Sequence, residues 1–354
     1  MKNQVLTAPY TDSQHYDTLQ IMKFFLILGV VMIHSNVLAG ITFDSNTDAS
    51  RISIYLMRLL PGAICHACVP CFFILSGYLY FHNISSMTSG TYIVKTRRRI
   101  KTLLIPYILW NAIGLILLFI KHYYFHYPAY SVIDGDRISI SGLLFGFWDL
   151  HQGYPYAFAF WFIRNLIIFA ILSPISFLLG KSIPGFIIFI LIISITDTHL
   201  YGFEYFSFGA FIALNKVQTI ATHKTATIIA GITYIMLSMA ETSWLRYRYE
   251  SVELIKNTAA YIAIWHIARH VATGCHSRLF STLVSSTFFI YAIHQFFCTI
   301  TRNLFISIFG IKSFTGVVQS FFASWLTLII ISTIICLIIK AILPRTASIL
   351  SGDR

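Results

Sequence analysis

The chain has 354 residues, of which 57% are hydrophobic, 16% aromatic and 11% charged, with a mean hydropathy of +0.74. A soluble protein of this size cannot cover its surface with so few charges, and no polar half exists to form a second, water-soluble domain. The net charge of +12, from 25 Lys+Arg against 13 Asp+Glu, reads in such a chain as the positive-inside bias of membrane loops rather than as a nucleic-acid surface.

Apolar runs of about 18 residues or more recur along the chain. They predict an all-α, polytopic membrane helical bundle built as one integral domain, 1–354, with about ten transmembrane helices. The expected spans are 20–40, 56–81, 100–120, 157–179, 183–199, 203–215, 226–240, 258–273, 283–309 and 315–343. The sixth and eighth are short for a crossing, which suits tilted, broken or re-entrant segments. The six cysteines all lie in or beside apolar stretches, so no extracellular disulfide framework is implied.

Residues 1–18 read as a short cytoplasmic tail. The first apolar run, which includes "KFFLILGVVMIHS" from Lys23 to Ser35, has no small-x-small cleavage site after it and reads as a retained signal anchor. Lys23 and His34 are eleven residues apart. At ~100° per residue that spacing returns to nearly the same helix face, ~16 Å further along the axis. Ionisable groups are costly inside a span and usually face a functional interior, so both are expected to look into one cavity. Structural hydrogen bonding, or snorkelling of the lysine, is the plainer alternative.

In the second span, Pro70 frees a backbone carbonyl and Ser76-Gly77 allows a close helix approach. The upstream "CHACVPC" has cysteine spacing known from zinc loops. Inside an apolar span it reads instead as small buried thiols, and no metal is assigned. "KTRRRIK", Lys95 to Lys101, is the densest basic cluster and is placed in the cytoplasm, which puts both termini there. Its Arg97, Arg98, Arg99 and Lys101 either orient the chain or form an anion site, since guanidinium forks suit phosphate.

The 41–55 loop, with Asp44 and Asp48, and the long 121–156 loop, with Asp134, Asp136 and Asp149, then lie outside. "HYYFHYPAY" and "DLHQGYPYAF" in the long loop are rich in Tyr and His. They read as interfacial aromatics or as a surface for stacking a sugar. Arg164 follows an aromatic belt and either snorkels or lines a cavity. His294, in "SSTFFIYAIHQFF", reads first as a hydrogen-bonded structural histidine.

Taken in order, these pieces resemble the acyltransferase-3 family of membrane acyltransferases, from about residue 16 to 340. Lys23 and His34 match its Lys/Arg-x10-His pattern. "FFILSGY" resembles its second-span signature and "RRRIKTLLIPY" its basic start to the third span. "WFIRNLIIFAILSP" and "FFIYAIHQFF" are similar to further landmarks. The nearest members O-acetylate bacterial sugars, including the enterobacterial common antigen type. Two positions depart from the pattern. Gln20 stands where an acidic residue is frequent, with Asp17 further upstream, and the Arg-x-x-Arg spacing is met by Arg98 and Lys101.

The resemblance implies transfer of an acyl group, usually acetyl, from cytoplasmic acyl-CoA to a hydroxyl of a cell-surface or lipid-linked glycan. It places the chain as a multi-pass protein of the inner (cytoplasmic) membrane acting in cell-envelope polysaccharide biosynthesis. His34 is then the general base and Lys23 holds the pantetheine end or orients the cavity. Arg97, Arg98, Arg99 and Lys101 meet the CoA phosphates, and Ser76, Arg164 and His294 bind substrate or support the site. The expected partners are acyl-CoA, the sugar acceptor and membrane lipid, with no nucleic acid. A glycan or lipid transporter or flippase, and a non-catalytic membrane scaffold, are the competing readings.

Overall fold

The computed structural model describes residues 12–39, 51–126, 133–134, 137–148, 154–188, 201–217, 223–243, 250–274 and 277–352. The chain is helical throughout these residues, apart from a minimal hairpin that pairs Ile133–Asp134 with Arg137–Ile138. Helices α1 (Asp12–His34), α2 (Arg51–Leu59), α3 (Cys68–Phe81) and α4 (Ser89–Phe125) come first. A short α5 (Ile140–Phe145) precedes α6 (Trp161–Ile171), α7 (Ser173–Gly180) and α8 (Phe203–Leu214). Then follow α9 (Lys224–Ser243), α10 (Glu250–Ala272), α11 (Arg278–Ser285), α12 (Thr287–Phe309), α13 (Phe314–Ile342) and α14 (Pro344–Ser351).

Among the described residues, five helical stretches are long and apolar enough to cross a membrane, or up to 7 when each of two bent pairs counts as one span. Their outward faces carry large apolar side chains, such as Ile228, Ile232 and Met236 on α9 and Ile330, Ile334 and Leu337 on α13. Water penalises such faces and hydrocarbon does not. The expected span at 203–215 is a 12-residue apolar helix. The one at 183–199 lies largely outside the described residues, as do Asp44, Asp48, Asp136, Asp149 and Cys275. The one at 258–273 belongs to α10, which is long but carries Glu253, Lys256, Asn257, His266 and Arg269. Its Lys256 is buried and pairs with Glu241 of α9.

Local chemistry explains the breaks. In α6–α7 the chain turns by 67° where Pro174 removes a donor and restricts the residue before it. In α11–α12 an equal bend falls at Ser285-Ser286-Thr287. Those three hydroxyls take the carbonyls of Thr282 and Val284 in place of regular helical partners. Pro61 and Gly62 open the second span into a π-helical turn (Leu60–Ile64) followed by a 3-10 turn (Cys65–Ala67). The basic cluster 95–101 is no loop. It forms the early turns of α4, which Thr88 caps by accepting the Thr91 N–H at 3.2 Å.

Among the described residues the closest backbone approach in the bundle joins α3 to α8. Gly77 rests against the Phe206 backbone and Gly209 against the backbone of Ile74 and Tyr78. The close approach expected of Ser76-Gly77 is therefore present, and its partner is a second glycine helix. Fully buried Phe73, Phe81 and Phe169 fill the space around this contact. The described cysteines Cys65, Cys68, Cys71, Cys298 and Cys336 are buried free thiols.

Gly209→Ala puts a methyl group into the Ile74 carbonyl, so it is expected to destabilise the protein by about 1–3 kcal/mol. Gly231→Ala meets open space inside α9 and is expected to be neutral or stabilising by about 0.5–1 kcal/mol. Thermal unfolding of the purified protein, followed by intrinsic fluorescence, checks both.

Candidate active site

One face of α1 organises the site. Asp17, Gln20, Lys23, Val30, Ile33 and His34 line a cavity of about 1200 Å³. Met22, Leu26 and Ile27 of the same helix are fully buried against the bundle. The lining stripe spans eighteen residues, Asp17 to His34, or ~25 Å of helix. The cavity is therefore elongated, with Lys23 nearer one end and His34 at the other.

At the far end, His34 is the last residue of α1. The chain leaves the helix through a turn in which Ser35 Oγ donates to Val31 O at 2.8 Å. The His34 ring lies 5.1 Å from that of His294 and 5.9 Å from that of Phe158, which it meets edge-on at 85°. Phe158 in turn stacks on Tyr154, 4.3 Å away. His66, in the irregular turn of the second span, lines the same end. His294 is buried on α12, and its Nδ1–H donates to Ile290 O at 3.0 Å. That bond leaves a lone pair on Nε2, which is buried and has no hydrogen-bond partner among the described residues.

The segment after α5 folds inward instead of standing off the bundle. Tyr156 donates to the carbonyls of Gly142 and Leu143, 3.1 Å each. Burial pushes its phenol up to about 12, so it stays a donor at physiological pH. Tyr107 of α4 donates to Phe147 O. Asn111 accepts from the Ala157 N–H at 2.9 Å, and Tyr291 of α12 donates to Ala159 O at 2.6 Å. These bonds fix residues 154–160 across the cavity, directly beside His34.

At the near end, Lys23, Arg99 and Lys340 all line the cavity. Lys340 Nζ donates to Ser285 O at 3.1 Å. Arg97, Arg98 and Lys101 are exposed and stand outside the lining. The cause is helical geometry: consecutive residues diverge by ~100°, so one of three adjacent arginines faces inward. Ser76 and Arg164 also line the cavity. Arg164 is buried, with Nε and Nη2 both 3.3 Å from Asn165 Oδ1, and Asn165 Nδ2 donates to Tyr201 O. The wall is completed by α14, where Leu350 O accepts from Trp110 Nε1 at 3.1 Å and Ser351 lines the cavity.

Sequence reasoning passed over His66 and Lys340 as site residues and took Tyr154 and Phe158 only as part of a stretch that either lies at the interface or stacks a sugar. Lys340 ends an apolar run and had only the look of a flanking charge. Tyr154 and Phe158 sat in a stretch whose aromatics were noticed, but whose inward fold depends on Tyr107, Asn111 and Tyr291 from distant helices. Among the described residues no group of three or more His, Cys, Asp or Glu is placed to hold a metal.

Residues 16–341 match a family model described as an acyltransferase domain. No curated protein and no solved structure matches the chain.

Cavity exposure is directly measurable. Ser76→Cys is expected to react with a small water-soluble methanethiosulfonate, whereas Ile27→Cys, on a fully buried face, is expected to stay unmodified. Intact-protein mass spectrometry, with the unsubstituted protein as blank, reads both.

Proposed function

Because the chain belongs to the acyltransferase-3 family, which its match over residues 16–341 shows, we propose that it moves an acyl group from acyl-CoA to a hydroxyl of a glycan or lipid-linked sugar. Acetyl is the group we assign. The observation that carries this reading is the single elongated cavity, with Lys23, Arg99 and Lys340 at one end and His34 at the other.

The two ends suit the two halves of such a reaction. CoA is a polyanion with a long pantetheine arm. Its phosphates suit the cationic end, on the cytoplasmic side in our reading, and its arm carries the thioester along the cavity toward His34. A sugar hydroxyl is a weak nucleophile at neutral pH. A neutral imidazole within reach accepts its proton as the oxygen attacks the thioester carbonyl. The tetrahedral intermediate then collapses, the C–S bond breaks, and the thiolate leaves as CoA-SH once it regains a proton. His34 holds that proton between the two steps.

His294 supports this chemistry through geometry. Its Nδ1–H is committed to Ile290 O, so its free face toward the site offers a lone pair and no second donor. A lone pair beside His34 favours the tautomer of His34 that carries its proton on the facing side. Arg99 is the member of the basic cluster that the reading assigns to the donor, and the exposed Arg97, Arg98 and Lys101 form the outer collar of the same anion-attracting end.

His34→Ala is expected to lower transfer of label from [14C]acetyl-CoA to extracted membrane glycan by ~10²-fold or more, without loss of folded protein. Wild-type turnover in that variant would remove His34 from the mechanism. Arg99→Gln is expected to raise the KM for acetyl-CoA roughly tenfold, the effect of losing one charge-assisted contact. Arg97→Gln is expected to change it by less than about twofold, as exposed charges do. Steady-state kinetics with the purified protein separate the two.

A further inference from the structure

The inward-folded segment places an exposed aromatic ring in the cavity, one stacked ring away from His34. Tyr154 lines the cavity and is 50% exposed. One face of its ring is covered by Phe158, at 4.3 Å and 30°, and Phe158 meets His34 at 5.9 Å and 85°. Two stacked rings therefore stand against the imidazole, and the outer ring keeps accessible surface. His66 supplies a polar group from the opposite wall.

We propose that Tyr154 and Phe158 form an acceptor subsite for a single pyranose ring, with Tyr154 as the stacking platform. The chemistry of the pair selects this ligand class. A pyranose presents C–H groups on its faces and hydroxyls on its rim. Aromatic faces carry negative charge density that favours the partly positive C–H groups. A ring laid on the open face of Tyr154 lies in the cavity one stacked ring away from His34, in a space that His66 also lines. A fatty alcohol would gain nothing from a flat platform and would need an apolar tunnel at this end. Tyr and Phe also lose little conformational freedom on binding, because their rings are already fixed by the stack and by the anchors of residues 156–159.

The inference rests on the acyl-transfer reading for the meaning of the subsite, but its test does not need turnover. The protein is placed in lipid nanodiscs free of glycoside detergent, and its aromatic protons are saturated in the presence of methyl β-D-glucopyranoside or methyl β-D-galactopyranoside. Saturation is expected to pass to ring C–H protons of at least one of the two sugars. The transfer is expected to fall about fivefold in Tyr154→Ala and to persist in Tyr154→Trp, as for loss and retention of an aromatic stack. Tyr154 is half exposed, so its replacement leaves the core intact. No transfer in the wild type, equal transfer in Tyr154→Ala, or stronger transfer to 1-octanol than to either sugar would each overturn the proposal. Acetyl transfer to extracted glycan is measured on the same preparations. Sugar binding that depends on Tyr154 without any acetyl transfer would sink the acyl-transfer reading and leave the sugar subsite standing.

Discussion

Inside hydrocarbon, a charged or titratable side chain must face another polar group or water. Helix α1 carries Lys23 and His34 on one stripe, and the rest of the bundle is arranged so that this stripe is never pressed against lipid. Met22, Leu26 and Ile27 of α1 are fully buried in the bundle. The stripe itself fronts a cavity walled by α3, α4, α6, α11, α12 and the last helix. Polar groups from those walls, among them Ser76, Arg99, Arg164 and Lys340, meet the same space. The cost of one intramembrane lysine and one histidine is offset by making the interior around them polar, and a polar interior open along a helix is what a two-substrate transfer needs.

Two packing devices keep that interior in shape. The glycine-mediated contact between α3 and α8 lets the two backbones touch while Ser76 lines the cavity. The π and 3-10 turns at 60–67 rotate His66 into the cavity in a stretch that a regular helix would continue. Inward folding of residues 139–148 and 154–160 then flanks the His34 end. It is fixed by Tyr107, Asn111 and Tyr291, which satisfy backbone groups of that segment inside the bundle.

Much of this was legible in the residues. The apolar runs gave the helical class, and the eleven-residue spacing put Lys23 and His34 on one face, where the structure has them. Ser76-Gly77 announced a close helix contact. Other features depend on partners far away in sequence, which periodicity does not carry. The basic cluster was legible as the start of the third span, but the Thr88 cap that begins the helix ahead of it was not, and of its arginines only Arg99 lines the cavity. The bend before Thr287 comes from three hydroxyls, a weaker signal than the proline that bends α6–α7. The polar residues of α10 hid a long helix, since Lys256 is tolerated through Glu241 on another helix.

The central claim is that a donor held at the Lys23, Arg99 and Lys340 end delivers its thioester to His34 through one cavity. Bromoacetyl-CoA tests it directly, because its electrophilic carbon sits beside the position of the acetyl carbonyl and alkylates a nitrogen it reaches, with loss of bromide. Peptide mass spectrometry is predicted to find the carboxymethyl-CoA adduct, or its hydrolysed remnant, on His34. Excess CoA is predicted to prevent the adduct, and Arg99→Gln to slow its formation. Alkylation confined to residues at the cationic end, or labelling of His34 that excess CoA leaves unchanged, would contradict a shared cavity carrying donor to base.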